Sequence, residues 1–597
     1  MSRNLLKVEN ASNLSRDELV RTFVVTPDYL ELLNPVNHVV LGARGSGKTV
    51  LLRMLSHDHM SQVDDDRVRP TVRDCSLIGI YVQMDATWVS GLKNKPWQTE
   101  EEQERYFQWR LNLSACIALT DTIGSCLREY VSDVGDRASK ELDIVAKLSE
   151  AWLGADAPPN RSLSDLAAAL EEIEYEKQVQ AASWHASGGR PPEAQVVAPA
   201  FETDLFTPVT RGIVITQRLL GLTPEPTWAI LLDEAEFLEE LHHRLINTHM
   251  RSHAGNLVFK LSTLPYYHPT LETNTGDSLS VGDDFSYLYI DQDPVRAMED
   301  AGFVAFAQSL LDKRMSANDV PMLNLSHLLG GSRLLEDSDG ASEGDEQFFA
   351  LLEKYASPVT VQRAHGLQSN PPAFRDQISR KMKGALFLRD AVETRRRDHL
   401  GRQKLDVYSG ERMILRCTDA NPRRMVQLFQ RIVRAYTDSG GGGMLDTVVQ
   451  TQVLRSYSEA VLRRSESTPG CGHELYAFLR SVGFYLRTGF YERELTTDQV
   501  FSIEVKREDG GKWPQIVREA AKLGLMYPNV QTRSPEFMPM DGIFHLAYAL
   551  APVFDLLPRR GKAVRLTTVL RFSSKKAFVE GPEGQGVLWP SEKGEPV

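Results

Sequence analysis

Apolar positions along this 597-residue chain follow two rhythms. In the first, short apolar and β-branched runs occur within Val36–Leu41 and at Ile78–Met84, Trp228–Leu232, Leu257–Leu261 and Tyr287–Ile290. Runs of that length predict strands covered on both faces, as in a parallel sheet. In the second, apolar residues recur three and four apart, which predicts helices. Two short helices fall at Leu14–Val20 and Thr26–Leu33, and a long helical stretch covers Gln98–Val131, Arg137–Trp152 and Ser162–Ala182. A further helix is expected from Ala235 to about His253. Strands alternating with helices imply an α/β fold, with the long helical stretch as an insertion. A Gly/Pro loop at Ser187–Pro192 closes the insertion, and the acidic Gly/Ser-rich stretch Glu336–Glu346 predicts a mobile surface loop.

The chemistry-bearing residues sit where these strands end. After the first strand the chain reads Gly42-Ala43-Arg44-Gly45-Ser46-Gly47-Lys48-Thr49, a complete G-x-x-x-x-G-K-S/T pattern, and Val50-Leu51-Leu52 then opens an apolar helical face. Glycines let the backbone curl so that successive N–H groups face phosphates, and the helix N-terminus adds positive potential. The residues expected to hold nucleotide are therefore Gly42, Arg44, Gly45, Ser46, Gly47, Lys48, Thr49 and Val50. Lys48 is expected on the β and γ phosphates and the Thr49 hydroxyl on magnesium, which makes ATP and Mg2+ the expected cofactors.

A second strand, Trp228-Ala229-Ile230-Leu231-Leu232, ends in Asp233-Glu234, the form of a Walker B element. Asp233 is expected to hold the metal and Glu234 to orient and deprotonate the attacking water. The next strand ends in the polar pair Ser262-Thr263, which resembles the place where AAA+ type ATPases carry a sensor contacting the γ-phosphate or that water, with either residue able to fill it. Further on, Asn421-Pro422-Arg423-Arg424 opens an amphipathic helix, with Asn421 as cap and Pro422 in the first position. An arginine in a first turn opposes the helix dipole, a reason for it to face an anion. Arg423 is read as a second sensor and Arg424 as its competitor. The expected catalytic set is Lys48, Glu234, Ser262 and Arg423.

Composition narrows the class. With 42% apolar and 25% charged residues, the chain is an ordinary globular protein. The start, Met1-Ser2-Arg3-Asn4-Leu5-Leu6-Lys7, lacks a secretory apolar core, so a cytoplasmic protein without a membrane partner is expected. Five scattered cysteines offer neither a zinc site nor a disulfide framework. The net charge of −12 argues against a protein coated in nucleic acid. It is uneven, however: between Arg363 and Arg434 seventeen Lys and Arg face seven Asp and Glu, a segment suited to DNA phosphates or equally to an acidic partner.

Together the G-x-R-G-S-G-K-T loop, the L-L-D-E strand, the polar strand end at Ser262 and Asn421-Pro422-Arg423 resemble AAA+ ATPases of the origin-recognition and replication-initiator clade, and the related STAND NTPases. The resemblance spans about Val36 to Tyr436. It implies a parallel AAA+ sheet in residues 36–300 after a lead-in of 1–35, with the insertion at about 96–200. A helical lid at 301–440 and a C-terminal winged-helix-like domain at 441–597 would follow. It implies an ATP-hydrolysing switch or motor acting on DNA or a DNA-bound partner, working as a homo-oligomer or with a partner protein. Arg244 and Arg251 are candidates for an arginine finger reaching a neighbouring subunit. The insertion departs from replication initiators and points towards phage defence or mobile-element biology. The competing reading is a nucleotide-gated scaffold without a nucleic-acid role; a small-molecule P-loop kinase fits the long tail less well.

Overall fold

The computed structural model describes residues 13–84, 86–90, 99–155, 157, 159–187, 199–252, 256–290, 301–318, 320–335, 346–398, 404–509, 511–529, 542–575, 578–580 and 586–588. The described residues fall into two units, one holding those up to 42 and 47–290, the other 43–46 and those beyond 300. Residues 188–192 of the expected Gly/Pro loop and 336–345 of the acidic stretch lie outside the described residues.

In the first unit β1 (His38–Leu41), β2 (Leu77–Gln83), β3 (Thr227–Asp233), β4 (Leu257–Thr263) and β5 (Ser286–Tyr289) form one sheet in the order β2-β3-β4-β1-β5. Every pair in it is parallel, which is the expected α/β architecture. Side chains alternate across a strand, so each run divides between two cores. Val40, Leu77, Ala229 and Leu231 face Leu51, Leu52, Met54 and Leu55 of the helix Lys48–Leu55, with Leu19, Tyr29 and Leu32 from the lead-in helices. Val39, Ile78, Ile80, Val82, Ile230 and Leu232 face Phe107, Leu111 and Leu119 of Glu100–Tyr130, and Leu148 and Trp152 of Val134–Leu153. The stretch expected as an insertion thus covers one face of the sheet, and both faces being covered explains the unbroken apolar runs.

Caps set the helix starts. Ser15 and Thr99 each close a capping box, with Glu18 and Glu102 respectively. The helix expected from Ala235 is corrected. Leu238 and Glu239 are extended, at ψ 148° and 166°, so Ala235–Phe237 forms only a 3-10 turn after Glu234, which itself stands in the left-handed region at φ 65°. The helix itself is Glu240–Arg251, capped by Glu239 and His242. Within β4, buried Lys260 departs from the apolar pattern: its ammonium donates to the Asn34 and Val36 carbonyls and approaches His38 Nδ1 at 2.8 Å. Burial pulls its pKa down to about 7.

The second unit begins with helices that include Ala301–Ala317, Arg380–Arg397, Pro422–Asp438, Thr447–Arg464 and Gly472–Glu492. A four-stranded sheet follows, with β6 (Val500–Val505), β7 (Met526–Pro528), β8 (Gly542–Leu546) and β9 (Lys562–Arg565) in the order β7-β8-β6-β9. The helix Trp513–Lys522 connects β6 to β7. After β8 stops at Leu546, a 3-10 segment runs from Tyr548 to Phe554. Arg389 ties this unit together by donating to the Phe490, Tyr491 and Arg493 carbonyls at the end of Gly472–Glu492.

Candidate nucleotide site

The expected phosphate loop joins β1 to the helix Lys48–Leu55. Gly45 and Gly47 adopt φ of 88° and 105°, a region where a side chain would strain the backbone. Lys48 is buried, and its ammonium donates to the Gly42 carbonyl at 2.6 Å. Thr49 and Val50, half-buried, occupy the next two positions of the helix. The Ser46 hydroxyl is buried without a hydrogen-bond partner. A curled glycine backbone, a buried ammonium and an orphaned hydroxyl together fit a bound phosphate chain.

Asp233, at the end of β3, is fully buried. Register decides what it meets. Gln83 pairs with Asp233 and Tyr81 with Leu231, so Tyr81 shares the face of Leu231 and Asp233. Ser262 pairs with Val40 on that same face, whereas Thr263 pairs with Leu41 on the other. Accordingly the Ser262 hydroxyl donates to Asp233 Oδ1, and the Tyr81 hydroxyl donates to Oδ2 at 2.9 Å. The Glu234 N–H donates to Asp233 Oδ1 and to Ser262 Oγ, 3.1 Å each. Thr263 instead donates to the Tyr267 carbonyl at 3.1 Å. Burial and the Asp233 charge push the Tyr81 phenol well above its usual range, which keeps it a donor. Tyr81 escaped sequence reasoning, although a tyrosine inside an apolar strand signals a hydroxyl needing a partner. On the other side of the turn, buried His243 Nε2 lies 3.2 Å from the Ala235 carbonyl.

In the second unit, the loop-tip residues 43–46 meet the start of Pro422–Asp438. Asn421 caps that helix by accepting from the Arg424 N–H at 3.2 Å, and its amide donates to the Arg44 carbonyl at 3.1 Å. The Arg423 N–H donates to the Gly45 carbonyl at 3.3 Å, and the Arg44 N–H to that of Lys522 at 3.0 Å. Burial and the Arg44 charge lower the pKa of the Arg423 guanidinium. Arg424 has a different task. It pairs with fully buried Asp419 and donates to the Gly524 carbonyl at 2.6 Å. Asp419 also accepts from the Tyr548 and Ala549 N–H groups, at 2.6 and 3.1 Å.

The arginine-finger candidates are engaged within the chain: Arg244 pairs with Glu240 and Glu272, and Arg251 donates to the Ser278 carbonyl. In the basic segment Arg380, Lys381 and Arg395–Arg397 are exposed, although Arg397 pairs with Glu393 and Arg380 lies near Asp376. In the tail Arg559 is drawn inward to the Lys381 carbonyl, and Arg565 pairs with Glu508. Among the described residues the cysteines are free and no helix is long and apolar enough to cross a membrane. Among the described residues no group of three or more His, Cys, Asp or Glu is placed to hold a metal ion.

A glycine loop opening a helix, on a parallel sheet whose neighbouring strand ends in a buried aspartate, defines an AAA+ type P-loop protein. A family model described as ORC-CDC6-like matches residues 4–566, and the chain belongs to that family. No curated protein matches the sequence. Among solved structures it is similar to the Orc1 protein of Aeropyrum pernix in complex with DNA, at 11% identity over 90% of this chain and 96% of that one. The TM-score of 0.22 is too low to equate the two folds in detail. None of these similarities bears on phage defence or mobile elements.

Proposed function

We propose that the chain binds ATP with magnesium, hydrolyses it, and uses the cycle to switch its action on DNA or on a DNA-bound partner. The observation that carries this reading is the fixed, fully buried Asp233 on the sheet face packed by the phosphate-loop helix. Lys48 neutralises phosphate charge, and the Ser46 hydroxyl and the loop N–H groups supply donors. Magnesium, when bound through Thr49 and Asp233, offsets the charge that builds on the phosphate oxygens. Glu234 orients the attacking water and takes its proton; its backbone is pinned by the Ser262 hydroxyl. Ser262 is the sensor assigned in preference to Thr263, since it shares the face of Asp233. Arg423 is the second sensor, because Arg424 is committed to Asp419.

The exposed cations of Arg380–Arg397 support a DNA partner, which phosphate contacts would make salt-dependent. The net charge of −12 favours the second reading, a nucleotide-gated scaffold that docks protein alone. An oligomer or partner protein would supply any arginine finger. The test is magnesium-dependent ATP hydrolysis by the wild type and Glu234→Gln, each with and without duplex DNA. DNA-stimulated turnover lost in the variant is the expected result. Tight ATP binding without turnover in either protein would favour the scaffold.

A further inference from the structure

We infer that Tyr81 is a positioning residue for the metal-binding carboxylate, clamping Asp233 from the side opposite Ser262. The inference rests on the reading of Asp233 as the magnesium residue. An aspartate turns about two side-chain bonds, so a donor on one oxygen alone leaves its carboxylate free to tilt. Here both oxygens are held. Ser262, from β4, donates to Oδ1, and Tyr81, from β2, donates to Oδ2 at 2.9 Å. The two come from the strands on either side of β3, so the clamp is built into the sheet.

Register explains why residue 81 has to be long. It pairs with Leu231, two residues before Asp233, and shares its face. A phenol leaning along the strand covers that offset, which a serine or threonine at the same position would not. The third donor, the Glu234 N–H, also goes to Oδ1. A carboxylate has about four acceptor positions, and three donors leave about one, on the oxygen that carries only Tyr81. All three donors are uncharged, so they orient the carboxylate without cancelling its charge. Partners of this kind commonly tune metal affinity tenfold or more.

The test uses the full chain and Tyr81→Phe, which removes only the hydroxyl. Binding of a fluorescent ATP analogue is followed in EDTA and across a magnesium titration, together with the thermal midpoint. The expected result is a rise of about 10–100-fold in the magnesium concentration that half-saturates the gain in affinity. Affinity in EDTA and the midpoint should stay as in the wild type. Asp233→Asn is measured alongside. If Asp233→Asn removes the magnesium effect and Tyr81→Phe leaves the half-saturation unchanged, the clamp is overturned while the role of Asp233 stands. If Asp233→Asn keeps the full magnesium effect, the reading of Asp233 falls and the clamp with it. Should Tyr81→Phe fail to fold, Ser262→Ala removes the opposing donor and must raise the half-saturation likewise; an unchanged value overturns the inference.

Discussion

Asp233 in the first unit and Asp419 in the second are both fully buried, yet they are held by partners of different charge. Asp233 accepts from two hydroxyls and a backbone N–H, all neutral. Asp419 accepts from two backbone N–H groups and from the guanidinium of Arg424. A carboxylate sealed with its own cation is complete and serves structure. One sealed by neutral donors keeps a charge to offer, which suits a metal site. Of the two neighbouring arginines, Arg424 is engaged with Asp419 and Arg423 lies beside Arg44.

The largest expected effect would break the structural half of that contrast. Arg424→Ala leaves Asp419 buried without its cation and should cost about 3–5 kcal/mol in unfolding free energy, measured by denaturant titration. Removing the Asp419 carboxylate as well should not recover that loss, because the buried Tyr548 and Ala549 N–H groups would then be left without their acceptor. A single variant as stable as the wild type would remove the structural role of the pair.

On the functional side, Lys48→Ala should lower ATP turnover by about 100–1000-fold with an unchanged thermal midpoint. Arg423→Ala should reduce turnover about tenfold or more and also leave the midpoint in place. If instead Arg424→Ala lost turnover without losing stability, the assignments of the two arginines would be exchanged.

A smaller effect distinguishes the units by pH. In the first unit burial holds the imidazoles of His38, His57, His59, His242 and His268 at about 4. An unfolded histidine takes its proton near pH 6.5, so between these values the unfolded chain binds more protons and stability falls as pH drops. In the second unit only His545, at about 3, is lowered in this way among the described residues. Tryptophans Trp88, Trp109, Trp152 and Trp228 report on the first unit. Their fluorescence transition should fall by on the order of 5–10 °C from pH 7 to pH 5. A transition that does not move would show that burial of these rings does not govern the acid response.

The sheet could be read in the sequence because both of its faces are covered, which turns each strand into an apolar run bounded by turn residues. The loop from Gly42 to Thr49 was equally legible, since its chemistry is local. The rest depends on register between distant strands. Nothing near Ser262 or Thr263 tells which faces Asp233; the pairing of β1 with β4 decides it. Tyr81 lies 152 residues from Asp233, and only the pairing of β2 with β3 brings them together. Lys260 hides in an apolar strand because its partners are carbonyls of the lead-in, which leave no mark in its own neighbourhood. The helix expected from Ala235 is interrupted by extended backbone at Leu238 and Glu239 and starts again only at Glu240.

The most direct measurement sets Asp233→Asn against Asp419→Asn, recording magnesium-dependent ATP hydrolysis and the thermal midpoint for both. The account predicts that Asp233→Asn folds with a midpoint near that of the wild type and loses magnesium-dependent turnover by about 100-fold or more. It predicts that Asp419→Asn lowers the midpoint markedly and, at a temperature where it remains folded, keeps turnover. An Asp233→Asn protein that hydrolyses ATP normally, or an Asp419→Asn protein that is stable but inactive, would contradict it.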